Sequence, residues 1–343
     1  MTNLTKAHDE LYRRGPDETF PTMQTLWEHC HRQREKSTDR WHAPGALSTK
    51  VENSALVMTL GTDGAFALND WAFSSLCRFA GAAKDTINRL SPRTASIVLE
   101  ELLPRNGAGK PLQIMTEEDR VRSIHGASYT RLWNVELLSM IREFSTDFEP
   151  PQQAVTGGTG LYAGEQDLFV FLIDPLGWVE IEGGNYAPGF FVWNSEVGRR
   201  ALGCQTFWFE AVCQNHIVWD ATEVTEYTRK HTAHVHEGLG EIRAMIEAIV
   251  TKRDARKDGF VAVIRKAMEA TLGADAEEAF KELTRNGIPR SVAKEAVTLA
   301  HEKGRFTVWS VVDALTRLSQ QSRYAGDRTE ADQKAAQLLS LVA

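Results

Sequence analysis

Apolar residues in this chain follow two rhythms, alternation through the first two thirds and a three-four spacing through the last third. Residues 168–219 are almost all strand formers, β-branched and aromatic, broken only by short polar cassettes. Asp174-Pro175-Leu176-Gly177 and Gly183-Gly184-Asn185 are turn sequences. Asn194-Ser195-Glu196-Val197-Gly198 and Cys213-Gln214-Asn215-His216 interrupt the rest, which predicts a meander of four or five antiparallel strands. Upstream, residues 55–60 and 65–68 flank Thr62-Asp63-Gly64 as a hairpin. Residues 111–115 and 119–125 predict a second hairpin, with Val121 and Ser123 alternating against Arg120, Arg122 and Ile124.

Helical spacing predicts a segment over 23–34 anchored by Leu26 and Trp27, with a basic end at Arg32, Arg34 and Lys36 that reads as a solvated face. Asn69 or Asp70 caps a helix carrying Trp71, Leu76 and Cys77, and Ser91 before Pro92 starts another. Residues 129–134 lead into a helix through Leu137, Leu138 and Ile141. After Asp220 one long helix is predicted over 222–256, with Val235, Leu239, Ile242, Ile246 and Ile249 as a heptad seam. Five shorter helices follow to the C-terminus. The expected fold is therefore α+β, an antiparallel sheet with packed helices followed by a helical C-terminal region. Its expected parts are a polar arm (1–45), a sheet domain (46–221) and a helical region (222–343) that packs on the sheet or mediates self-association.

Composition narrows the function classes. The chain has 343 residues, 42% hydrophobic and 25% charged, and no apolar run of membrane-spanning length. The first residues lack the apolar stretch of a signal peptide, and Cys30, Cys77, Cys204 and Cys213 form no C-x-x-C pair. Buried thiols in a cytoplasmic protein are expected. The net charge of −7 confines any nucleic-acid contact to a segregated basic patch.

Three constellations carry possible chemistry. His231 and His234 with Glu237, beside His236, share a face if the helix is continuous, so the site of a metal-dependent hydrolase is geometrically possible. However, H-x-x-H-x-H is not the H-E-x-x-H motif, and His236 points away from the other two. The competing reading is a polar helix start, and no metal or other cofactor is assigned. Asn194, Ser195 and Glu196 with Cys213, Asn215 and His216 have the residue types of a thiol hydrolase, but Cys213 and His216 project to opposite faces of a strand. No catalytic residue is assigned, and the asparagines are expected to satisfy backbone groups at turns. Gly157-Gly158-Thr159-Gly160 lacks the lysine and serine or threonine of a phosphate loop. The third set is basic: Arg122, Arg131, Arg199, Arg200, Arg229 and Lys230, with Trp193 and Trp208 as stacking surfaces. Single-stranded nucleic acid needs that pairing of phosphate neutralisation with aromatic faces.

The order N-S-E-V-G, aromatic run, C-x-N resembles the phage/plasmid-like family known as domain of unknown function 932. So do R-V-R-S-I-H-G-A-S-Y-T-R-L-W-N at 120–134, R-K-H-T at 229–232, T-V-W-S-V-V-D-A-L-T-R-L-S and E-A-D-Q-K-A-A-Q-L-L. The likeness spans roughly residues 45–343, and His216 stands where that family commonly has glycine. The resemblance implies a role in mobile-element DNA metabolism and brings no activity with it. The leading expectation is binding or annealing of single-stranded DNA, without catalysis, by a homo-oligomer. The alternatives are the metal-dependent hydrolase and a non-enzymatic adaptor using the Val235–Ile249 seam.

Overall fold

A computed structural model describes residues 17–106, 109–151, 160–210, 216–219, 226–302 and 304–342. In chain order it contains β1 (Glu18–Thr19), α1 (Met23–Glu35), β2 (Ser37–His42), β3 (Leu47–Glu52), β4 (Ala55–Leu60), β5 (Ala65–Leu68), α2 (Asp70–Phe79), α3 (Lys84–Asn88) and α4 (Pro92–Asn106). Next come β6 (Leu112–Glu117), β7 (Arg120–Gly126), α5 (Asn134–Ile141), β8 (Leu161–Ala163), β9 (Leu168–Ile173), β10 (Val179–Ile181), β11 (Gly184–Asn194), β12 (Leu202–Glu210), β13 (His216–Trp219) and β14 (Glu226–Arg229). The helices α6 (Glu237–Thr251), α7 (Arg253–Glu269), α8 (Ala276–Arg285), α9 (Arg290–Glu302), α10 (Val308–Ser319) and α11 (Ala325–Ala336) close the chain.

The fold is α+β as expected, but its strands form two sheets. The eight-stranded sheet A runs β1-β8-β9-β11-β12-β13, with β10 beside β11 and β14 beside β12. The six-stranded sheet B runs β2-β6-β7-β5-β4-β3, antiparallel except for β5 against β7. One face of sheet B, carrying Met58, Leu60, Phe66 and Ile124, buries against α2 and α4. Asn69 starts α2 by accepting from the Ala72 N–H at 2.8 Å, the predicted cap. Sheet A is covered on both faces. Phe190, Val192 and Cys204 pack with α1, α5 and α6, Trp208 and Tyr186 with α7 to α10, and Phe191 and Phe207 on the opposite face with α11.

Three expectations change. The arm is not separate from residue 17 onward: α1 packs against α5, and β2 is an edge strand of sheet B. The long helix over 222–256 is not continuous. Glu226–Arg229 pairs with Leu202–Gln205 as a strand, because E-Y-T-R carries β-forming Tyr227 and Thr228 and sheet A leaves an open ladder beside β12. The heptad seam is covered, since Val235, Ile242 and Ile246 are completely buried with Phe190 and Val192 of sheet A. It offers no interface to a partner. Cys30, Cys77 and Cys204 are buried free thiols, and burial pushes Cys77 up to about 12. Cys213 lies outside the described residues.

Candidate nucleic-acid interface

The N-S-E-V-G turn leaves the end of β11 and inserts where the two sheets meet. Its Glu196 is 2% exposed. One carboxylate oxygen faces Arg122 Nη1 at 3.3 Å, and the other accepts from the Asn134 backbone N–H at 2.8 Å. A register shift between Met115 and Thr116 makes this possible: Thr116 pairs with Val121, and Met115 with Ser123. Arg122 is thus the extra residue of a β-bulge and shares the face of Ser123, contrary to simple alternation. Its Nε also sits 3.3 Å from Glu117. Arg131 donates through Nε and Nη2 to Asp39 at 2.7–3.1 Å and through Nη1 to the Glu196 carbonyl. Tyr129 donates to the same carbonyl at 2.9 Å, and Asn194 Nδ2 to the Leu132 carbonyl at 2.9 Å. Trp71 Nε1 reaches the Val197 carbonyl at 2.6 Å. This network joins sheet A to sheet B.

A ring column stands beside it. His125 stacks on Tyr129 at 3.6 Å between centroids, and Tyr129 on His231 at 5.4 Å. Gly198, at φ +71°, is needed here, because a Cβ would meet the His125 ring at 2.6 Å. Burial, with Arg131 adding repulsion, holds His125 down at about 3. Burial likewise holds His231 at about 4, outweighing its backbone neighbour Thr130. Both rings are neutral at pH 7.

The predicted nucleic-acid contacts are not gathered in a groove. Arg122 and Arg131 are about 95% buried and ion-paired, so neither is available to phosphate. Arg199 and Arg200 lie 3.7 and 3.4 Å from the buried carboxylate of Asp167, and Arg200 also pairs with Glu330 at 2.7 Å. Arg229 pairs with Glu237 at 2.8 Å, leaving Lys230 exposed beside it. Trp208 is fully buried, stacked on Phe260 at 4.0 Å. Trp193 lies on the other face of sheet A against Phe191, in the space left by Gly203, where a Cβ would fall 2.0 Å from the indole. These two tryptophans are core residues on opposite faces, not stacking platforms.

The metal constellation is dispersed as well. The chain is non-helical from His231 to His236, so the histidines never share a helix face. His231 is buried, while His234 is exposed with Nδ1 2.7 Å from Glu237. Among the described residues no group of three His, Cys, Asp or Glu is placed to hold a metal ion. The Cys213–Asn215 segment and Gly157 to Thr159 lie outside the described residues.

Uncompensated positive charge sits elsewhere. In α1, Trp27, His31 and Arg34 form one stripe at helical spacing, and His29 and Gln33 form another. Arg34 lies over Trp133 at 4.0 Å, and Arg142 over Trp27 at 4.8 Å. His31 stacks on Trp27 at 4.8 Å. No carboxylate among the described residues pairs with Arg32, Arg34 or Arg142. The His29 stripe faces a cleft of about 610 Å³, also lined by Glu117, Arg122, Gly164 and Glu165, in which carboxylates outnumber guanidinium groups. Burial raises Glu117 and lowers His29 there. Helix α1 therefore divides an acidic cleft from a cationic, aromatic face. The signal for that face was visible as the basic end of the 23–34 helix, but a packed partner helix gave it meaning.

No protein-family model, curated protein or solved structure matches this chain.

Proposed function

We propose that this protein binds single-stranded nucleic acid, without catalysis, on the face built by α1 and α5. The observation that carries the reading is the pair of guanidinium groups held over indoles, Arg34 on Trp133 and Arg142 on Trp27, with no carboxylate to neutralise them. An indole fixes a guanidinium over its face without cancelling its charge. Arg34 Nη1 donates to the Ser37 carbonyl at 3.3 Å and Arg142 Nη2 to Gln24 Oε1 at 2.8 Å, both uncharged acceptors, and the remaining N–H groups are left for phosphate. Trp41 on the neighbouring edge strand is half exposed and supplies a free ring for base stacking. Arg34 and Arg142 stand apart from the acidic cleft, with Glu35 paired to His31 at 3.6 Å on the same side of α1, which gives the local positive patch that a chain of net charge −7 needs. The likeness to the phage/plasmid-like family agrees with a place in mobile-element DNA metabolism in the cytoplasm. Annealing calls for self-association through a surface other than the buried seam, read out by light scattering at micromolar concentration.

Fluorescence anisotropy with a labelled single strand tests the binding. Each phosphate contact contributes about −0.7 to the log–log salt slope. Replacing Arg34 and Arg142 together by alanine is expected to flatten that slope by about 1.4. Absence of salt-sensitive binding at low ionic strength, or binding indifferent to both arginines, defeats the reading.

A further inference from the structure

Cross-strand pairing places Trp41 of β2 opposite Gln113 of β6, and Gln113 opposite His125 of β7. The three form one row on the face of sheet B that also carries Asp39, two residues from Trp41. Trp41 is 51% exposed, whereas Gln113 and His125 are 7% and 8% exposed. Gln113 Oε1 and His125 Nε2 are both shut off from water, and neither meets a hydrogen-bond partner among the described residues. Leaving such a group unmet costs about 1–3 kcal/mol. The unmet Gln113 oxygen, beside a half-exposed indole, points to a bound group that satisfies it.

We infer that Trp41 and Gln113 form a nucleobase pocket, the indole stacking on the base and Gln113 Oε1 accepting from its exocyclic amino group. The pocket rests on the nucleic-acid reading above and extends it from phosphate contact to base preference. Adenine and cytosine carry an amino donor where thymine presents a carbonyl oxygen. Two oxygens facing each other repel, so thymine is disfavoured. Entry requires the indole to change rotamer, a rapid motion for a half-exposed side chain on an edge strand. His125 lies behind Gln113 and is neutral at pH 7, so it adds no charge to the pocket.

The test compares homopolymeric oligo(dA), oligo(dC) and oligo(dT) by anisotropy at low salt, with the full chain. Oligo(dA) and oligo(dC) are expected to bind about three- to tenfold tighter than oligo(dT), as one neutral hydrogen bond allows. Gln113→Met is expected to erase that preference while leaving oligo(dT) affinity unchanged. Trp41→Ala is expected to weaken all three by about tenfold, because stacking serves every base. The melting temperature of Gln113→Met is the control: losing an unpartnered amide leaves it unchanged or raised. Equal binding of the three strands, with a salt slope that still depends on Arg34 and Arg142, overturns the pocket and spares the phosphate face. A lowered melting temperature for Gln113→Met, the mark of an amide already satisfied by a buried water, overturns the pocket too. No binding of any strand overturns the nucleic-acid reading itself.

Discussion

Two regions of this molecule gather arginines and aromatic rings, and they use them in opposite ways. At the meeting of the sheets, Arg122 and Arg131 are buried, each bonded to a carboxylate and to backbone carbonyls, and Tyr129 and the two histidines pack beside them. On α1 and α5, Arg34 and Arg142 lie over indoles with no carboxylate partner among the described residues. Residue type does not separate these cases. Compensation does: an arginine whose charge is matched inside the protein holds the fold, and one whose charge is unmatched at the surface is available to a ligand.

The sharpest way to break the contrast is to remove the acid at the centre of the buried network. Glu196→Ala leaves the buried Arg122 with Glu117 and the Glu165 carbonyl, and it orphans the Asn134 N–H. Loss of one partner from a buried pair costs about 3–5 kcal/mol, a large share of the stability of an ordinary domain. Urea unfolding of the variant is expected to show that loss. The same substitution at Glu118, whose pair with Lys36 is at the surface, is expected to leave the urea midpoint nearly unchanged. Equal effects at the two positions remove the distinction between the regions.

Acid titration sharpens the comparison, because the ring column of the buried region holds two strongly depressed histidines. His125 and His231 have folded values near 3 and 4 against 6.5 when unfolded. Above pH 6.5 neither state binds the proton, and their neutral burial carries no pH dependence. As pH falls below 6.5 the unfolded chain takes up protons that the folded chain refuses, so stability is lost down to the folded values. At pH 5 each histidine accounts for about 2 kcal/mol of destabilisation relative to pH 7. A stability profile flat between pH 7 and 5, or one unchanged by His125→Phe, contradicts the buried ring column.

The same contrast explains how far the sequence can be read. Local signals sufficed for the Asn69 cap, the hairpin at 55–68 and the strands on either side of Gly183 and Gly184. They failed wherever a partner distant in sequence decides the outcome. Arg122 belongs to a bulge, which depends on the register with β6 and leaves no mark in alternation. Residues 226–229 become a strand because β12 has a free edge, and the helical seam is covered because sheet A lies beneath it. The buried pair did leave one trace. Glu196 sits beside Val197 in a turn, and Arg122 follows Val121 in a strand that also carries Ile124; charges buried in such settings are found paired. By the same logic the exposed arginines of α1 looked ordinary, since nothing in 23–34 tells that Trp133 will come beneath Arg34.

Only a small stability effect is expected at that face, and it is the most informative about function. An exposed cation over an aromatic ring contributes about 0.5–1 kcal/mol, and Arg34 adds a long hydrogen bond to the Ser37 carbonyl at 3.3 Å. Arg34 also sits in the last turn of α1, where positive charge favours the helix by a few tenths of a kcal/mol. Arg34→Ala is therefore expected to lower stability by about 1 kcal/mol at most in urea unfolding. Lysine at this position keeps the dipole interaction but loses the planar stacking, so Arg34→Lys separates the two contributions. A loss near that of Glu196→Ala means that Arg34 supports the α1–α5 packing itself. The exposed region then differs from the buried one only in degree, and its arginines have no claim to be held for a ligand.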